Sequence, residues 1–154
     1  GSISALGTEA EVNALKSFGT NFGMTFQLID DAIDYSSNKK ILGKNTGDDF
    51  KEGKITLPII LAYGRSNDKE KKFWERTISN LNQNEGDFEM ALEIINKYQC
   101  IEDTLTRANH FSNVAIDSVD IFKDNIYKEK LVSLVTKSVA RIYWLIFLIR
   151  FYLY

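Results

Sequence analysis

The sequence predicts an all-α domain, and three observations carry that reading. Apolar residues recur at helical spacing, as in Phe22, Phe26, Ile29 and Ile33, which line one side of a helix. No stretch alternates apolar and polar residues as a half-buried strand does. The single proline, Pro58, follows Thr56-Leu57, a place where proline is tolerated in the first turn of a helix.

Each element has a local reason. Thr8-Glu9-Ala10-Glu11 is a capping box, a hydroxyl followed three positions later by a carboxylate, and it opens a long helix running to about Tyr35. Ser36 to Lys54 is polar and contains glycines. A connection of that length in a helical domain marks a functional loop. Thr56 then caps the next helix. Asn67-Asp68 starts a third, ending near Leu81, and Gly86-Asp87 precedes a fourth that reaches Cys100. Ile101 to about Phe122 and Ile126 to about Tyr143 supply two more. Residues 1–143 therefore read as one domain.

Residues 144–154 stand apart. Trp144-Leu145-Ile146-Phe147-Leu148-Ile149-Arg150-Phe151-Tyr152-Leu153-Tyr154 is apolar and aromatic except for Arg150. It is too short to span a bilayer, which takes about 20 residues. Two readings stay open: a segment seated in a membrane interface, or an aberrant end such as a frameshifted tail. The second is the simpler. If the segment finds no packing partner it is an aggregation liability.

Composition narrows the function. With 44% hydrophobic and 26% charged residues the chain resembles ordinary globular domains. A net charge of −2 gives no reason to expect a nucleic-acid partner. Cys100, the lone cysteine, forms no internal disulfide and suits a reducing compartment or a buried apolar site. The resulting expectation is a cytoplasmic protein, with peripheral membrane association if the C-terminal segment meets a lipid surface. His110 has no second His or Cys to complete a metal site, so it reads as structural. Phe73 and Trp74 read as packing residues, and Lys69-Glu70-Lys71-Lys72 as a solvated helix start. A di-iron carboxylate bundle needs Glu-x-x-His pairs, which are missing.

The chemistry concentrates in Phe26-Gln27-Leu28-Ile29-Asp30-Asp31-Ala32-Ile33-Asp34-Tyr35. Gln27, Asp30, Asp31 and Asp34 form a polar face beside the apolar stripe. Asp30 and Asp34 lie one turn apart and can reach the same ion. Carboxylates on an otherwise apolar helix are costly without a compensating cation. Mg²⁺ suits such a turn, since it takes one or two carboxylates and completes its shell with water and phosphate oxygens. Lys44 and Lys54, in the segment that follows, would take up the remaining ligand charge.

Three blocks in this order resemble the trans-polyprenyl diphosphate synthases: Gly23-x-x-Phe26-Gln27-x-x-Asp30-Asp31-x-x-Asp34-Tyr35, then Gly43-Lys44-Asn45-Thr46-Gly47-Asp48-Asp49, then Gly53-Lys54-x-Thr56-Leu57-Pro58. The family's aspartate after the glycine corresponds to Asp48 or Asp49, and spacing favours Asp49. Tyr35, after the third aspartate, is similar to the long-chain (octaprenyl or decaprenyl) branch. The resemblance implies the C-terminal half of the isoprenoid synthase helical bundle, and Mg²⁺ as cofactor. It also implies isopentenyl diphosphate and an allylic prenyl diphosphate as substrates, and a homodimer for full-length members. In the implied reaction the allylic diphosphate leaves as pyrophosphate. The isopentenyl double bond attacks the carbocation, and a proton is lost. By the same resemblance Asp30, Asp31 and Asp34 hold Mg²⁺. Lys44 and Lys54 contact diphosphate, and Gln27 orients the cluster beside it.

The family's first aspartate-rich motif, with its arginine pair and lysine-threonine segment, is not in this sequence. The expectation is therefore a chain inactive alone. Two classes of function stay open: part of a prenyltransferase that works with an upstream half, or a non-catalytic truncated subunit that binds Mg-diphosphate or dimerises with an intact homologue.

Overall fold

A computed structural model describes residues 7–36 and 47–152, with side chains through residue 140. The regular structure of the described residues is helical, without strands. The first helix, α1 (Glu9–Asp34), begins at the capping box. The Thr8 N–H donates to the Glu11 carboxylate at 2.7 Å and the Glu11 N–H donates to the Thr8 hydroxyl at 3.3 Å. A short helix, α2 (Asp48–Lys51), and then α3 (Leu57–Arg65) follow, the latter with Pro58 in its first turn.

Next come α4 (Asp68–Trp74), which runs into a π turn at Glu75–Ser79, α5 (Asp87–Lys97), α6 (Cys100–Ser118) and α7 (Ile126–Tyr152). Helical structure after Asn67 thus ends before Leu81, which takes a left-handed φ of 51°. The helix placed by sequence at Ile101 to Phe122 stops at Ser118, where turn bonds from Val119 and Phe122 replace the helical ladder. The last helix passes Tyr143 and continues to Tyr152, because no glycine or proline after Ile126 interrupts it.

The architecture is built on α1 lying along α6, with α7 packed over both and α3 and α5 against α6. Ala32 and Ala108 are fully buried, and the backbones of α1 and α6 approach closely enough for the Thr25 hydroxyl to reach the Ala108 carbonyl at 3.3 Å. Leu28, Ile29, Ile33, Ile59, Ile95 and Leu105 belong to the main core. Phe18, Ala115, Val119 and Val135 form a second cluster. Trp74 is buried as expected, its Nε1–H donating to the Ser66 hydroxyl at 3.1 Å.

One sequence reading is corrected here. Glu70, assigned to a solvated run, is buried and receives bonds from Lys97 Nζ (2.8 Å), the Tyr98 hydroxyl (2.9 Å) and the Asn67 N–H (2.9 Å). It pins α4 to the end of α5. Cys100 is fully buried, and burial pushes its thiol up to about 11, so the sulfur stays protonated and inert. His110 is exposed, with its ring edge on Phe111. Among the described residues no helix is long and apolar enough to cross a membrane.

Candidate functional site

The acidic residues occupy the last turns of α1, whose opposite side is anchored by Leu28, Ile29, Ala32 and Ile33. Anchoring fixes the direction of the polar face. Asp31 is buried, and its Oδ1 accepts from Gln27 Nε2 at 2.7 Å. Burial raises this carboxyl above its ordinary 3.8. The Gln27 bond opposes the rise and the charge of Asp49 adds to it, while the Leu57 N–H at the start of α3 also acts to lower it.

Asp34 is half-buried and ties α2 to α1. Its Oδ2 accepts from the Asp49 N–H at 3.0 Å, and its carbonyl accepts from the Gly47 N–H at 3.0 Å. Burial raises the Asp34 carboxyl too; the Asp49 N–H bond works against that, and the charges of Asp49 and Asp48 reinforce it. Phe50 locks α2 down. It is buried and packs on the Phe88 ring at a centroid distance of 5.6 Å. Asp49 is thereby brought into the field of the α1 carboxylates, and Asp48, which also acts on Asp34, pairs with Lys51 at the surface, 3.2 Å away.

The sequence-predicted residues thus separate. Gln27, Asp30, Asp31 and Asp34 share one end of α1. Asp30 is half-buried and its charge acts on Asp31. Lys54 is close by, but its ammonium sits 2.8 Å from Asp49 and 2.8 Å from Glu52, and these bonds raise its pKa. Lys44 lies outside the described residues.

A cleft of about 620 Å³ opens beside this turn. Its lining mixes polar residues, Gln27, Asp31, Lys54, Thr56 and Arg107, with apolar ones, Met24, Leu28, Leu57 and Phe111. Sequence reasoning missed Arg107 and Thr56 as site residues. Their position beside α1, with Thr56 buried and Arg107 exposed at the cleft, reveals them; the one advance signal was Arg107 four positions before the aromatic Phe111 on the same helix face.

Among the described residues no three of His, Cys, Asp and Glu stand close enough to hold a metal ion. The donor chemistry nevertheless suits a hard cation: only carboxylate and amide oxygens are offered. Two of the carboxyls are held above their ordinary range by burial and by neighbouring negative charge, a penalty that a divalent cation would remove. That donor chemistry suits a divalent cation.

A family model described as polyprenyl synthetase matches residues 1–95. The octaprenyl diphosphate synthase of Haemophilus influenzae is 37% identical over 141 residues, covering 92% of this chain and 43% of that protein. A decaprenyl diphosphate synthase structure from Rhodobacter capsulatus matches with a TM-score of 0.84 at 34% identity, over 91% of this chain and 43% of that one. A polyprenyl synthase from Caulobacter crescentus, complexed with calcium and isoprenyl diphosphate, matches with a TM-score of 0.78 at 42% identity, over 89% and 42% of the two chains.

The fold is the helical bundle of the polyprenyl synthases. The chain belongs to the polyprenyl synthetase family, and its relatives include long-chain polyprenyl diphosphate synthases. It spans less than half the length of the relatives named here.

Proposed function

We propose that this chain supplies the second aspartate-rich, diphosphate-binding half-site of a long-chain trans-polyprenyl diphosphate synthase. The observation that carries the reading is the acidic end of α1, strapped by Asp34 to α2 and opening on a cleft lined by both polar and apolar residues. In this reading Asp30 and Asp34 hold Mg²⁺, with Asp31 acting behind them while bonded to Gln27. When bound, the cation offsets the charge of a diphosphate as it leaves carbon. Lys54 adds positive charge to the same end, Asp49 holds it in place until an anion competes for it, and Lys44 contacts the diphosphate as the family resemblance implies. The apolar wall of Met24, Leu28, Leu57 and Phe111 suits a hydrocarbon chain and keeps water from it.

The substrates in this reading are isopentenyl diphosphate and an allylic prenyl diphosphate. The Caulobacter relative's complex with calcium and isoprenyl diphosphate supports both the ligand class and a divalent cation. Homodimerisation, and contact of residues 144–154 with a membrane surface, belong to the same reading; family membership and the apolar composition of that segment support them.

The test is prenyl transfer with Mg²⁺, labelled isopentenyl diphosphate and farnesyl diphosphate, using this chain alone and mixed with the N-terminal portion of the Haemophilus relative. Elongated product in the mixture, lost in Asp30→Ala, is the expected result. Binding of Mg-pyrophosphate with no turnover in either sample would favour a non-catalytic subunit. Neither binding nor turnover would refute the half-site.

A further inference from the structure

We propose that Arg107 and Thr56 form an anion-binding corner of the cleft that takes the terminal phosphate of a prenyl diphosphate, an inference that rests on the diphosphate reading above. The first reason is Thr56. It stands at the N-cap of α3 with the extended backbone of a capping residue (φ −94°, ψ 165°), yet its side chain makes no capping bond. The residue is 8% exposed, and Oγ1 has no hydrogen-bond partner among the described residues. Orphaned buried hydroxyls are uncommon because each forfeits its hydration. This one lines a cleft, where a ligand oxygen can restore what burial removed.

The second reason is the group behind it. The Tyr35 hydroxyl neighbours Thr56 and is itself buried. A hydroxyl can accept one bond while donating another. Tyr35 can therefore donate to Thr56 Oγ1, leaving the Thr56 proton for an anion in the cleft.

The third reason is charge. Of the two cations lining the cleft, Lys54 is already engaged by Asp49 and Glu52. Arg107 is exposed and makes no ion pair or hydrogen bond among the described residues. A guanidinium is always charged, and its planar fork matches two phosphate oxygens at once. The start of α3 adds its own partial positive charge. An amphipathic phosphate ester would thus find a guanidinium, a hydroxyl and a helix terminus in a cleft that Met24, Leu28, Leu57 and Phe111 also line.

Isothermal titration of the 154-residue chain with pyrophosphate and Mg²⁺ tests this, with far-UV circular dichroism confirming that each variant is folded. Arg107→Gln should raise the Kd about tenfold, as loss of a charge-assisted pair does. Arg107→Lys should lie between it and the parent, and Thr56→Val should raise the Kd about threefold. Asp30→Asn should abolish the Mg²⁺ dependence. If Arg107→Gln binds like the parent while Asp30→Asn does not bind, the corner is refuted and the half-site stands. If Arg107→Gln weakens binding that never depended on Mg²⁺ or Asp30, the corner stands and the metal reading falls. A parent chain that binds no pyrophosphate overturns both.

Discussion

Gly47 sets the position of α2, and replacing it with alanine should cost far more than the small size of a methyl group suggests. Its φ of 86° and ψ of 14° lie in the left-handed region, and its N–H donates to the Asp34 carbonyl at 3.0 Å. A Cβ there would lie 2.6–2.9 Å from three atoms of the Phe88 ring. That ring cannot swing away freely, since Phe50 packs on it at 5.6 Å and Tyr35 at 6.4 Å between centroids. The left-handed conformation costs a non-glycine residue about 1–2 kcal/mol. Reduced freedom of the unfolded chain returns roughly 0.4–1 kcal/mol. Overpacking against a held ring adds about 1–3 kcal/mol. The net loss for Gly47→Ala is about 1–5 kcal/mol, centred near 3.

Gly86→Ala supplies the control. Gly86 has the same φ of 86°, but nothing lies within 4 Å of its would-be Cβ, so only the first two effects act and the loss is about 1 kcal/mol. Urea unfolding followed by far-UV circular dichroism measures both, provided the m-value holds constant. Because α2 presents Asp49 to the α1 carboxylates, Gly47→Ala should also weaken Mg²⁺-pyrophosphate binding, and Gly86→Ala should not. Two variants within about 0.5 kcal/mol of each other would refute the clash argument, since that is the spread of innocuous substitutions.

Two pH effects follow from the same structure, with opposite signs. Burial holds Asp31 and Asp34 above the ordinary 3.8, so their contribution to stability is complete below 3.8 and is lost as pH rises through their folded values. Mg²⁺ should therefore raise the Tm at pH 7, and the increment should shrink as acid protonates these carboxyls; a Tm indifferent to Mg²⁺ at pH 7 counts against the metal assignment. Glu70 behaves in reverse. Its bonds from Lys97, from the Asn67 N–H and from Tyr98 lower it from 4.5 to about 2, so the stability it confers is present above 4.5 and fades as pH falls toward 2. Glu70→Gln should flatten the acid limb of a Tm-against-pH curve in that window, and an unchanged limb would remove Glu70 from the account.

Local chemistry made much of this protein legible in advance. A capping box is satisfied within four residues, so the start of α1 needs nothing from the rest of the chain. The carboxylate face follows from helical periodicity alone, and the three-block pattern carried the family. Tertiary structure decided what depends on residues far apart. Asp49 belongs with Asp34 because Phe50 is buried beneath it, and Glu70 left the solvent because Lys97 and Tyr98 meet it from the end of α5. Arg107 and Thr56 joined one cleft only when α6 and the start of α3 came to lie beside α1. Secondary structure is written by neighbours in sequence; burial, charge pairing and an orphaned hydroxyl arise from neighbours in space, which periodicity cannot list.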